Sequence, residues 1–320
     1  MNIKRRDFLQ LGCATALTGL AFGPVWARSP DVKVLTGPAF GSSWRLVLPD
    51  TMENPRSLID GIVRDIDGHM SPFRADSDLG KFNAGRTNLV DDETRFVAQA
   101  ALDLAKISGG AFDPTSAPIG RKYGFGPAAI AATAPAGMYS DVRVVGGRLE
   151  KSITELTLDL NGIAKGYALD KIAAALDGLD FLLELGGEVV ARGRHPTGRP
   201  WRIGIERPGT NKIQRLINAG NAALATSGDA AQSYVVGGRR YAHVIDPRTA
   251  GPLVNDVSSV SVMAPSGMLA DGLATAAMVL GPNESANLFN AYDARALFLL
   301  KNGNNFVEVT LGDFPLEGSR

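Results

Sequence analysis

"ELTLDLNGIAKGYALDKIAAALDG" runs from Glu155 to Gly178 and changes period midway. "ELTLDL" reads as a strand. "NGIAKGYALDKIAAALDG" reads as a helix closed by Gly178. Were this strand–helix alternation to persist, the chain would be a doubly wound parallel fold. It does not persist. "FLLEL", "EVVARG", "WRIGIE", "IQRLIN" and "SYVVGGRRYAHVID" follow as short β-like pieces, the last broken by a Gly237-Gly238 hairpin signal. "SVSVMAP" then leads into the helix "SGMLADGLATAAMVLG", and "RALFLL" with "NFVEVT" supplies a final hairpin. Upstream, Leu58, Ile59, Ile62 and Ile66 share one helical face, as do Phe96, Val97, Ala100, Leu104 and Ile107 before Gly109-Gly110. Hairpins mixed with amphipathic helices predict an α+β fold, with mixed or antiparallel sheets and packed helices. No internal repeat is visible, and "GPAAIAATAPAGMYS" reads as an Ala/Pro/Gly-rich surface loop.

The first residues read as a leader. "KRRDFLQLGCATALTGLAFGPVWA" has a basic start, a moderately apolar stretch and small residues at Val25 and Ala27. Arg5-Arg6 before Asp7-Phe8-Leu9 fits the twin-arginine pattern, which directs export of folded proteins to the periplasm. Residues 1–27 are thus expected to be a signal peptide and 28–320 one domain. That domain holds no cysteine, since Cys13 is the chain's single one, and so excludes disulfides and Cys-bound metals. The leader has three basic residues and one acid, leaving 30 basic against 32 acidic residues. So even a balance carries no footprint for nucleic acid. No later apolar run reaches the roughly 18 residues of a membrane span.

Four glycine-rich stretches lie at element ends: "SGGAFDPTSAPIG", "LDLNGIAKGYA", "LELGGEVVARG" and "LATSGDAAQSY". Such turns permit close backbone approach, as a phosphate ligand requires, and they also serve as plain turns. The helix after Asn161-Gly162 would present free N–H groups to an anion, with Lys165 nearby. Asp271 and Thr275 stand four apart on a predicted helix, so their oxygens share one face. A carboxylate and a hydroxyl so placed suit Mg²⁺ and not zinc, although an exposed Asp beside a helix-facing Thr has the same spacing. His69, His195 and His243 are scattered without metal-site spacing, and no Gly-x-Ser-x-Gly is present. "YAHVIDPRTAG", Tyr241 to Gly251, is either a capped turn or the lip of a site carrying His243.

Taken in order, "FGSSWRL", "MSPFRADSDLGKFN", "SGGAFDPTSAPI", "LDLNGIAKGYALD", "LELGGEVVARG", "ALATSGD", "YAHVIDPRTAGPL" and "ADGLATAAMVLG" resemble the ApbE family of FAD:protein FMN transferases, from about Phe40 to Leu280. The resemblance implies the T-fold-related fold of that family. It also implies FAD and Mg²⁺ as requirements, transfer of FMN to a Thr or Ser hydroxyl of a target protein, and release of AMP. FAD contacts are implied for Phe40, Phe73, Ala111, Phe112, Asp113, Asn161, Tyr167 and Ile245, with Lys165 near the phosphates. Metal ligation is implied for Asp271, Thr275 and the Ala164 carbonyl, and catalysis for His243. Phe40-Gly41-Ser42 departs from the family's usual Met-Gly start, and Asn161 replaces a usual glycine.

With its leader, the chain resembles the accessory flavin transferases of nitrous oxide respiration, whose acceptor is a membrane-associated redox protein. Two other functions are compatible with the same residues. One is a non-catalytic periplasmic FAD carrier. The other is a Mg²⁺-dependent FAD hydrolase that releases FMN and AMP.

Overall fold

The computed structural model describes residues 31–229, 233–236, 239–242 and 244–315; the expected leader and His243 lie outside them. Eight strands form one sheet whose spatial order is the chain order. They are β1 (Val32–Ala39), β2 (Ser42–Pro49), β3 (Phe181–Leu185), β4 (Glu188–Arg192), β5 (Ala223–Gly228), β6 (Val257–Ala264), β7 (Arg295–Asn302) and β8 (Asn305–Leu311). Every neighbouring pair is antiparallel. This is the α+β arrangement that the run of short β pieces predicts.

Period-two alternation covers both faces of the sheet. Leu183 and Leu185 of β3, Val260 and Val262 of β6, and Phe298 of β7 enter the core under the helices. Met263, Leu297 and Leu299 point the other way, onto Trp201, Ile203 and Ile217. Those three belong to a hairpin pairing Trp201–Glu206 with Ile213–Ala219. The helices come from two insertions. Between β2 and β3 lie α1 (Arg56–Met70), α2 (Asp78–Asn83), α3 (Asp92–Ile107), α4 (Ala117–Lys122) and α5 (Ala164–Ala175). Between β6 and β7 lies α6 (Gly267–Ala291), whose backbone breaks at Gly281, φ 69° and ψ 176°. Pro282 then opens a second segment, where its missing N–H costs nothing.

Two expectations need correction. "ELTLDL" is not a strand. Leu156, Leu158 and Leu160 are fully buried, as the alternation requires. However, the backbone pairs with a side chain: Asn83 Oδ1 accepts from Leu158 N at 2.8 Å, and Asn83 Nδ2 donates to Leu158 O at 2.8 Å. Asp159 N donates to Pro114 O, so no ladder forms. The buried helical faces are also rotated from the expected ones. Ile59, Val63, Ile66 and Met70 line α1, and Val97, Ala101 and Leu104 line α3. Leu58, Phe96 and Ile107 sit beside those stripes and are 45%, 56% and 50% exposed.

The helical layer closes where α5 crosses α6. A Cβ on Gly166 would lie 2.1 Å from the Gly267 carbonyl oxygen, so only glycine permits the approach. Replacement of Gly166 by Ala should therefore force the helices apart and cost about 1–3 kcal/mol, typical of overpacking. At Gly272 the added Cβ meets Leu104 Cδ2 at 2.6 Å, the movable end of a side chain. Gly272→Ala should be milder, with the better helix propensity of Ala offsetting part of the crowding. Urea midpoints for the two variants test this, and equal losses would mean that the crossing is not the tight point.

Candidate functional site

The N-terminus of α5 has no cap of its own. Its N-cap is Ile163, which offers no side-chain acceptor. Asp271 of α6 supplies one instead, accepting the Gly166 N–H at Oδ2 over 3.0 Å. α5 returns the bond: Asp170 accepts from Gly267 N at 2.6 Å and from Met268 N at 2.9 Å, in the first turn of α6. A carboxylate at a helix N-terminus is favoured by the free N–H groups and by the dipole.

Asp271 Oδ1 has a weaker partner, the Lys165 ammonium at 3.4 Å. That ammonium lies closer to Glu188, 2.7 Å from Oε1. Glu188 and Asp271 are 4% and 3% exposed, while the Lys165 side chain is only partly buried. Burial first, and the Asp271 charge second, push the Glu188 carboxyl up to about 7 against the pull of Lys165. Burial lowers Lys165, but Asp271 and Glu188 outweigh it and hold the ammonium above its ordinary value. Glu188 is brought here by the β3–β4 turn, where Gly186 and Gly187 take φ 62° and 107°, values that disfavour other residues. Gly186 N donates to Ser43 O, which ties this turn to the "FGSSWRL" segment. Phe40 adopts φ 49° at the start of that segment and packs partly against the core.

Thr275 stands one turn after Asp271, its hydroxyl 3.4 Å from Gly162 O. A Cβ at Gly162 would touch Thr275 Oγ1 at 3.1 Å and Phe112 at 3.2 Å, so all three are packed together. Ala111, Phe112 and Asp113 are buried beside them. Asp113 Oδ1 accepts from both Thr115 N and Thr115 Oγ1, at 2.7 and 2.6 Å. The structure thus unites Gly162, Ala164, Lys165, Asp271 and Thr275 with the 111–113 segment, and adds Glu188, Gly166 and Asp170.

The side chains of other candidates make different contacts. Tyr167 turns its ring to Phe96, 5.9 Å between centroids. Burial and then the Glu93 charge and hydrogen bond push its hydroxyl up to about 12. Phe73 is 62% exposed between α1 and α2, and Asn161 is exposed at the mouth of the 159–162 turn. His195 bonds Thr197 and rests its ring on Trp201, a structural histidine.

The "YAHVIDPRTAG" segment is a turn from Asp246 onward. Asp246 Oδ1 accepts from Arg248 N at 2.9 Å, and the Arg248 guanidinium bridges Asp246 and Glu284. Ile245 pairs with Pro252 across this turn. The turn packs on the 109–139 region: positions for a Cβ on Gly110 and on Gly137 lie 4.0 Å from Arg248 Cγ and 3.4 Å from Pro247 O.

A cleft of about 570 Å³ bounded by Arg248, Leu253, Val254, Gly281 and Glu284 shares no residue with the Lys165–Asp271 group. Among the described residues, His69, Asp78 and Asp91 form a second polar cluster, with His69 Nδ1 2.7 Å from Asp78 and 3.7 Å from Asp91. Both Asp91 oxygens already cap α3.

With this geometry in place, likeness to known proteins is specific. The ApbE family matches residues 40–298. An FAD:protein FMN transferase of Vibrio cholerae is 33% identical over 310 residues, covering 91% of this chain and 90% of that protein. One from Haemophilus influenzae is 29% identical over 88% of this chain and 90% of its own length. Among solved structures, the flavin transferase ApbE from Vibrio cholerae superposes with TM-score 0.76 at 32% identity, covering 88% of this chain and 98% of that one. The apo flavinyl transferase ApbE of Pseudomonas stutzeri gives TM-score 0.76 and 32% identity over 88% and 94%.

Burial pushes the Asp113 carboxyl above its ordinary range, against its Thr115 and Tyr139 hydrogen bonds. A folded-state pKa above the unfolded one means stability is present at low pH and lost as pH rises through the folded value. Asp113→Asn removes that charge. It should raise Tm at about pH 7.5, with the gain closing near pH 3, below the unfolded carboxylate value of about 3.9. A gain that is constant across this range would show that Asp113 carries no burial penalty.

Proposed function

The chain belongs to the ApbE family and is an FAD:protein FMN transferase, and we propose that it uses Mg²⁺ to move FMN from FAD to a Thr or Ser hydroxyl of an exported or membrane-associated protein, releasing AMP. The observation that carries the metal reading is the buried group at the α5–α6 crossing. Glu188 and Asp271 bring two carboxylates against one ammonium, and Glu188 Oε2 has no hydrogen-bond partner among the described residues. The donors are hard oxygens gathered with acidic side chains, which fits Mg²⁺. Asp271 Oδ1, Thr275 Oγ1 and the Ala164 carbonyl would hold it. When bound, it offsets the pyrophosphate charge and the charge that develops on departing AMP.

The chain's own residues do the rest. The α5 N-terminus and the Lys165 ammonium attract the phosphates. Phe112 and Ala111 give the substrate an apolar, water-excluding wall. In this reading His243, through the family resemblance, takes the proton of the acceptor hydroxyl. The acceptor oxygen then bonds to the FMN phosphorus while the bond from that phosphorus to the AMP oxygen breaks. Such transfer depends mainly on positioning and electrostatics.

The test is incubation of purified protein with FAD, Mg²⁺ and a candidate acceptor, followed by intact-mass measurement of the acceptor. A gain of one FMN is expected. Free FMN and AMP with an unmodified acceptor would make the protein a hydrolase. The two assigned roles should fail differently. Asp271→Ala should regain part of its activity in excess Mg²⁺ or Mn²⁺, by mass action. His243→Ala should lose about 10²–10⁴-fold, the usual value of a general base, and metal should not restore it. Near wild-type transfer by His243→Ala would make that histidine structural.

Export through residues 1–27 belongs to the same proposal. Replacing Arg5-Arg6 by Lys-Lys should strand the precursor in the cytoplasm. Unchanged periplasmic yield would remove the twin-arginine route, and with it export of the protein already folded around FAD.

A further inference from the structure

Glu188 has no obvious reason to be ionisable. It opens β4 ahead of Val189, Val190 and Ala191, all buried, and is itself 4% exposed. Burying a carboxylate is costly, and an apolar replacement of a buried ion pair is often neutral or stabilising. Stability alone therefore does not call for a carboxylate here. Oε1 meets Lys165 at 2.7 Å, while Oε2 meets no hydrogen-bond partner among the described residues. Holding Lys165 is its visible task.

What that hold does is set by the other end of the ammonium. Asp271 has committed Oδ2 to the Gly166 N–H at 3.0 Å, which leaves Oδ1 as the oxygen facing inward. Lys165 Nζ stands 3.4 Å from Oδ1, outside the 2.7–2.9 Å of a close charge-assisted bond. Its distance to Glu188 lies within that range. Two cations, an ammonium and a divalent ion, would compete for Oδ1, and Glu188 draws the ammonium away. The β3–β4 turn that places Glu188 is bonded to β2 through Gly186 N and Ser43 O. A Cβ position on Gly186 lies 3.6 Å from Lys165 Cδ and 3.7 Å from Glu188 Oε2, so the turn also flanks the pair.

We infer that Glu188 is a positioning residue: it holds the Lys165 ammonium off Asp271 Oδ1, which keeps that oxygen free to bind the divalent cation. The inference rests on the reading of Asp271 as a metal ligand. It differs from a merely structural ion pair in one respect. Loss of Glu188 should harm metal binding only when Lys165 is present to take its place on Asp271.

The experiment measures Mn²⁺ binding by electron paramagnetic resonance to the FAD-loaded full chain, with no acceptor present. Glu188→Ala should weaken Mn²⁺ binding by about 10–100-fold, the usual cost of losing a residue that orients a ligand. Glu188→Gln keeps the shape and an oxygen acceptor for the ammonium. It should lose less, and it serves as the measurement if the alanine variant does not fold. In a Lys165→Met background, Glu188→Ala should change the affinity little, because no ammonium remains to collapse onto Asp271. Equal losses with and without Lys165, or no loss in either glutamate variant, would overturn the inference. Unchanged Mn²⁺ affinity in Asp271→Ala would instead overturn the metal assignment on which it rests.

Discussion

Two helices that cap each other across a glycine contact set the rest of this structure. α5 and α6 approach so closely at Gly166 and Gly267 that neither tolerates a side chain there. At that distance each N-terminus is within reach of the other helix's acid: Asp271 supplies the cap that local sequence omits at Ile163, and Asp170 adds two bonds to the α6 N-terminus beside its own cap, Ser266. A single N-cap contributes about 0.5–2 kcal/mol. A reciprocal pair also fixes the angle between the helices. The position of Thr275, one turn further along α6, follows from that angle, as does its contact with Gly162 and the nearness of Phe112. The crossing is thus both the main helix–helix joint and the frame of the site.

That joint holds two buried carboxylates, Asp271 and Glu188, and others in the chain are partly buried. Burial raises Asp113, Asp159, Asp170, Glu184 and Glu188 above their ordinary range, although several accept backbone N–H bonds. A protein selected for stability alone would replace some of them with apolar residues. Buried carboxylates such as Asp271 and Glu188 are how functional sites depart from the stability optimum. Lys165 supplies the compensating charge for Glu188 and Asp271. A cation and an anionic substrate together would balance what the fold leaves unbalanced.

Much of this was legible in the sequence, because it depends on local pattern. The helices α1 and α3, the pairing of residues 233–236 with 239–242 and the final β7–β8 pair follow from periodicity and turn residues. The Asp271–Thr275 spacing put both oxygens on one helix face, where they meet the 162–166 turn. What was hidden depends on partners distant in sequence. Nothing near Leu158 announces that Asn83 will pair with its backbone, so "ELTLDL" reads as a strand. The hairpin of Val142–Val145 with Arg148–Lys151 is too short to separate from the loop before it. Glu188 carried one signal, a charged residue opening an apolar strand after two glycines, but its partner lies 23 residues earlier at Lys165. Phe96 and Tyr167 show the same limit, since which side of a helix meets a neighbour is decided by the neighbour.

The reading of "YAHVIDPRTAG" as either turn or site lip does not require a choice. An Asx turn held by Asp246 fixes the chain immediately after Ile245, and Arg248 pins that turn to Glu284 on α6. Its outer edge lies beside Gly110 and Gly137, in ordinary van der Waals range of Arg248 and Pro247. Gly110 directly precedes Ala111–Asp113, the segment that touches Gly162 and Thr275 through Phe112. The Asx bond and the Arg248 bridge restrict this turn before any ligand arrives. Such pre-organisation is what positions a reacting group without further entropic cost. The polar residues of the motif therefore need not be catalytic for the motif to matter to catalysis. By stiffening the turn, Asp246 and Arg248 would set where the preceding residues can reach.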